Sequence, residues 1–164
     1  MPMSEYRGPL LPVLALAGTL AGCSGGDPPP VTFNLTDLGT LGGAASYGCA
    51  INAGGQVAGY AIAGDAAPHT ARWTGTTAVD LGVVGGAPGC AYGINDAGQV
   101  VGFSLTPDGS QTHATLWTGT TPTDLGTLGG PSSIANGINA GGQVSGWSHV
   151  AGNSATHAVR WTAM

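Results

Sequence analysis

Three histidines stand at one interval: His69, His113 and His157, each 44 residues from the next. Each opens the pattern H-x-x-x-W-T. Three imidazoles brought to one point would make an open zinc site of catalytic type. Aspartates recur too, at Asp37, Asp80 and Asp124, each followed by Leu-Gly. Acid–base catalysis needs two carboxylates in different environments, and equivalent carboxylates lack that asymmetry. A carboxylate ahead of a tight turn ordinarily accepts the turn's amides. A side chain that recurs because its unit recurs is structural first. Both sets are therefore read as scaffold, and no catalytic residue, metal or cofactor is expected. His149 lies outside the pattern and is expected on the surface.

The elements that carry these residues repeat with them. D-L-G starts at 37, 80 and 124, and I-N-x-x-G-Q-V starts at 51, 94 and 138. Three landmarks thus hold a period of 43 to 44 residues, which marks a repeat architecture. The units run 37–79, 80–123 and 124–164. Within the first, 46–52, 56–62, 69–73 and 78–82 read as strands. Asn and Gly between the first two suit a hairpin turn. Pro122, in the copy of the fourth strand that leads into the third D-L-G, marks that strand as an edge. Residues 31–38, VTFNLTDL, alternate apolar and polar and read as one more fourth strand. No helix-period pattern follows residue 30. Small residues in the first strands (Gly48, Ala50, Ala91, Gly93, Ala135, Gly137) suit a crowded centre. The aromatics Trp73, Trp117 and Trp161, with Tyr60, Phe103 and Trp147, are assigned to the core. A glycan-stacking role for one of them is the alternative.

Composition narrows the class. With 31 glycines and no G-x-y period in 164 residues, coiled coil, helical bundle and collagen are excluded. Three arginines, no lysine and a net charge of −5 argue against a nucleic-acid partner. The 42% hydrophobic content is too high for simple disorder. The expected fold is all-β: three roughly four-stranded antiparallel units, packed as β-propeller-like blades. A three-fold β-prism or trefoil, and a stacked β-solenoid, are the alternatives. Three blades are fewer than propellers use, so end faces would be exposed and the domain is expected to form homo-oligomers.

The N-terminus reads as an address. Leu10–Leu20 is an apolar run of eleven residues interrupted by Pro12. A membrane-spanning helix needs roughly 20, whereas a signal h-region needs only ~7–15. Leu20-Ala21-Gly22-Cys23 follows at once and resembles the lipobox of bacterial lipoproteins. That resemblance implies a signal peptide over 1–22, cleavage before Cys23, and acylation of Cys23. Residues 23–30 would be the acylated tether and 31–164 the domain. The protein is then exported and anchored through lipid to the cell envelope, at the outer membrane or cell surface. Two cysteines remain, Cys49 and Cys90. Counted at period two, both share a face with Ile51 and Ile94, and both are expected as buried free thiols.

The consensus D-L-G-T-L-G-G … I-N-x-x-G-Q-V-x-G … H-A-x-x-W resembles the HAF repeats of bacterial extracellular proteins. The likeness covers 37–164; D-L-G-T-L-G-G is complete at 37–43 and 124–130 and reads D-L-G-V-V-G-G at 80–86. The phenylalanine of H-A-F is missing from all three copies. The resemblance implies export and blade-like units, and no enzymatic activity. The function expected is a structural or ligand-binding surface module; the alternative is an extracellular protein that binds or acts on carbohydrate.

Overall fold

The computed structural model describes residues 30–86 and 88–163. Leu35–Met164 forms one compact unit that holds every described strand, and the described residues before it fall outside that unit. Of the latter, Val31 and Phe33 are exposed and outside any strand.

The protein is all-β, as composition and alternation required. The first sequence copy supplies β1 (Gly42–Ile51), β2 (Val57–Ala63), β3 (Pro68–Thr74) and β4 (Thr77–Asp80). The second supplies β5 (Gly89–Ile94), β6 (Val100–Leu105), β7 (Thr112–Thr118) and β8 (Thr121–Asp124). The third supplies β9 (Gly129–Ile138), β10 (Val144–Val150) and β11 (Thr156–Trp161), with a short 3-10 turn at Ala151–Asn153. β1 to β4 pair in order as one antiparallel sheet. A second, seven-stranded sheet runs β11-β10-β9-β7-β6-β5, with β8 on β7. Its two halves meet at a single parallel pair, Thr112 with Ser132.

Registers recur from copy to copy. Val57 lies opposite Trp73, Val100 opposite Trp117, and Val144 opposite Trp161. Pro122 sits in β8, whose one described strand partner is β7. There a missing N–H costs no ladder bond.

Each first strand carries a bulge, and this explains the glycine that ends Q-V-x-G. Cys49, Tyr92 and Asn136 are the extra residues, between Gly48 and Ala50, Ala91 and Gly93, Ala135 and Gly137. A bulge bends its strand and turns a backbone group toward the partner. A Cβ on Gly59, Gly102 or Gly146 would stand 1.9, 1.8 or 2.0 Å from the carbonyl oxygen of Tyr47, Cys90 or Ile134. Only glycine fits opposite the bulge.

Two apolar clusters join successive copies. Ala58, Val79 and Leu81 of the first pack on Ala91, Ile94, Val100 and Trp117 of the second. Val101, Ala114, Leu116 and Leu125 of the second pack on Ala135, Ile138, Val144 and Trp161 of the third. Small first-strand residues permit this approach: Ala91 and Ala135 are fully buried, and a Cβ on Gly93 would stand 3.1 Å from the Cα of Gly137.

Three expectations need correction. Residues 31–38 form no strand. Among the described residues β4 and β8 pair only with the third strand of their own copy, and no described third strand precedes residue 31. Tyr60, Phe103 and Trp147 are half-buried rather than core, whereas Trp73 and Trp117 are buried. Cys49 is exposed, and of these two only Cys90 is a buried thiol. The bulge breaks the period-two count, so Cys90 lies beside Phe103 and Tyr92 while Ile94 enters the core.

Candidate functional site

The turn after each first strand is closed by its asparagine. Asn52 Oδ1 accepts the Gln56 amide at 2.9 Å, and its Nδ2 donates to Gln56 Oε1 at 2.9 Å. Asn95 with Gln99, and Asn139 with Gln143, repeat both bonds. Positive φ belongs to the last glycine of each turn, Gly55, Gly98 and Gly142, so the asparagine is required for its amide. That amide also reaches the next copy. Asn52 Nδ2 donates to the carbonyl of Asn95 at 3.0 Å, and Asn95 Nδ2 to the carbonyl of Asn139 at 3.1 Å. Beside this ladder Arg72 donates to the carbonyl of Gly98 at 2.9 Å, and the Ala53 amide donates to Asp96 at 2.9 Å.

The recurring aspartates cap turns and hold histidines. Oδ1 of Asp37, Asp80 and Asp124 accepts the amide of Gly39, Gly82 and Gly126 at 2.9, 2.8 and 2.7 Å. Oδ2 of Asp80 and Asp124 meets Nδ1 of His69 and His113, each at 2.7 Å. These bonds tie β3 and β7 to the ends of β4 and β8. The hydrogen bond to Asp80 raises the His69 pKa above its ordinary 6.5, with Asp65 adding to it at 3.2 Å. Asp65 is itself held below the usual carboxylate range, chiefly by the Ala67 amide. His157 is exposed. Among the described residues no three His, Cys, Asp or Glu gather as a metal-binding group.

The middle copy departs from its neighbours in instructive ways. Ser46 and Ser133 donate to the carbonyls of Gly39 and Gly126, each at 2.7 Å. Gly89 stands at the equivalent position and has no hydroxyl, and there Trp117 Nε1 donates to the Gly82 carbonyl at 3.0 Å. Asp108, in the β6–β7 hairpin, accepts from the hydroxyls of Ser110 and Thr106, which pull its carboxyl down to about 2. Ionised throughout the ordinary pH range, it is no proton donor.

One groove is lined by aromatic rings. Tyr47 stacks on Tyr60 across β1 and β2 with centroids 4.7 Å apart at 20°. Tyr92 and Phe103 sit 5.9 Å apart on the next sheet. Tyr60, Pro68, Pro88, Gly89, Tyr92 and Phe103 line a groove of roughly 300 Å³, with Cys90 in its wall. Burial, with Cys49 alongside as the next cause, pushes the Cys90 thiol up to about 12. It is therefore no nucleophile at neutral pH. Cys23, expected to carry lipid, lies outside the described residues.

The fold and this chemistry define an all-β protein whose recurring polar side chains are spent on its own scaffold. Comparison with known proteins finds no matching family model and no matching curated sequence.

Proposed function

We propose that this protein is an exported, lipid-anchored repeat scaffold without catalytic activity, built from three blade-like units of the HAF-repeat kind. The observation that carries this reading is the fate of the motif side chains. Asn52, Asn95, Asp80, Asp124, His69 and His113, the residues most suited to chemistry, bond to turn amides, to one another or to the next copy. An active site needs polar groups in unlike environments, and these occupy equivalent ones. Packing of the first copy on the second and the second on the third favours a linear order of units. Cys23 is the lipid attachment residue in this reading. It is tested by feeding cells an alkynyl palmitate analogue. Label is expected on the wild type and not on Cys23→Ala; equal labelling of both defeats the anchor.

A second reading, glycan binding, is favoured by the groove at Tyr60, Tyr92 and Phe103. Flat aromatic faces with few polar groups suit the apolar face of a sugar ring. Titration with soluble cellohexaose and chitohexaose, followed by tyrosine fluorescence, tests it. Binding that disappears in Phe103→Ala supports the reading, and silence with both sugars removes these two classes.

A further inference from the structure

The interface between copies occurs twice within the chain, and each end of the described fold shows one half of it. The forward half is built by the second and third strands. Ala58 and Thr70 of the first copy are fully buried under the second. Val101 and Ala114 are fully buried in the same way. Their third-copy equivalents, Ser145 and Ala158, are exposed, as is Arg160, the counterpart of Arg72. The rear half is built by the first strand. Ile94 is 9% exposed where a copy covers it, whereas Ile51, its equivalent, is 69% exposed. Val57 is half-buried, while Val100 and Val144 are buried.

Backbone pairing is left incomplete at the same two places. β3 and β7 each bond a fourth strand, but β11 has no described one beyond it. Conversely Leu35-Thr36-Asp37-Leu38-Gly39 matches the fourth-strand sequences Ala78–Gly82 and Pro122–Gly126, yet pairs with no described strand. Leu35 is fully exposed. An unpaired strand edge is a ready template for another chain.

We propose that copies of this protein assemble head to tail: the third repeat of one docks on the first repeat of the next, and residues 35–37 of the second copy add a fourth strand to β11. The register follows from the pairs already made. Arg72 lies opposite Val79, and Leu116 opposite Thr123, which sets Arg160 opposite Thr36 of the second copy. In the same frame Asn139 Nδ2 meets the carbonyl of Asn52, extending the asparagine ladder. Arg160 meets the carbonyl of Gly55, as Arg72 meets that of Gly98. The contact is heterologous, using different patches on the two partners, so it propagates beyond a dimer. It rests on packing seen inside the chain and stands whether or not Cys23 carries lipid.

Directly opposed residues of an antiparallel pair have Cα atoms about 4.5–5.5 Å apart, within disulfide reach. The test uses the full chain in mild detergent, with Cys23, Cys49 and Cys90 replaced by alanine. Thr36→Cys and Arg160→Cys are purified separately with different tags, mixed and oxidised. The expected product is a disulfide-linked dimer bearing both tags, formed only in the mixture. The double variant Thr36→Cys with Arg160→Cys should give a ladder of dimers, trimers and larger species. Adding Ile51→Asp, at an exposed position, should cut the yield at least tenfold with an unchanged thermal transition. Equal dimer from either single variant alone would show a symmetric interface and overturn the proposal. So would an internally crosslinked monomer, or no crosslink in the mixture.

Discussion

Asn95 and Asn139 lie 44 residues apart and are joined by one hydrogen bond, from Asn95 Nδ2 to the Asn139 carbonyl at 3.1 Å. The same amide also closes the Asn95 turn through Gln99. One buried side chain thus sets a local hairpin and the contact between two copies.

Asn95→Ala should therefore destabilise more than Asn139→Ala. Asn95 is 5% exposed, and its removal takes both turn bonds from half-buried Gln99 and the bond across to the Asn139 carbonyl, which keeps the Gly142 amide. Each such loss costs about 1–3 kcal/mol. Asn139 is exposed and makes only the turn bonds. Urea unfolding of both variants, at unchanged m-value, checks the order.

Gly102→Ala should cost about 1–3 kcal/mol or more, because its methyl would enter the Cys90 carbonyl. Gly109→Ala is the contrast. Gly109 has open space but a positive φ of 69°, so only backbone strain of about 1 kcal/mol follows. Comparing the two unfolding midpoints separates close approach from torsion.

Alternation and punctuation carried much of the fold. The β2, β3, β6 and β7 strands, the glycine turns and the edge position of Pro122 were legible, because each follows from side-chain period, φ or a missing N–H. The bulges at Cys49, Tyr92 and Asn136 were not, since one extra residue leaves no mark in a period-two count. Without them Cys49 falls on the wrong face. The strand expected at 31–38 shows a different limit: β propensity is realised only where a neighbour offers a free edge. The histidine–aspartate contact left a signal. His69 to Asp80 and His113 to Asp124 share the spacing of 11, and a repeated spacing between complementary groups predicts a bond. The asparagine ladder had no such mark, because its acceptor is a backbone carbonyl.

Stability should fall as pH rises past neutrality, in part through His69. Its folded-state pKa lies above 6.5 because Asp80 and Asp65 favour the imidazolium. Sites that bind protons more tightly when folded stabilise the fold at low pH. The contribution is full below 6.5 and disappears as pH passes the raised value. For a partly exposed pair it is up to about 1 kcal/mol. Melting at pH 6 and at pH 8.5 should show the lower Tm at pH 8.5, and His69→Gln should reduce the difference.

Cys49 and Cys90 should differ sharply in reactivity. Cys49 is the exposed bulge residue of β1, so reagent reaches it freely. Cys90 is 8% exposed, and burial holds its thiol up at about 12. At pH 8 its thiolate fraction is then roughly one in ten thousand. Brief treatment of the folded, reduced protein with iodoacetamide should alkylate Cys49 and leave Cys90 untouched, as read by peptide mass spectrometry. After urea both should react. Equal labelling of the two in the folded state would mean that the β5 edge opens readily, and that the groove beside Phe103 is not a formed surface.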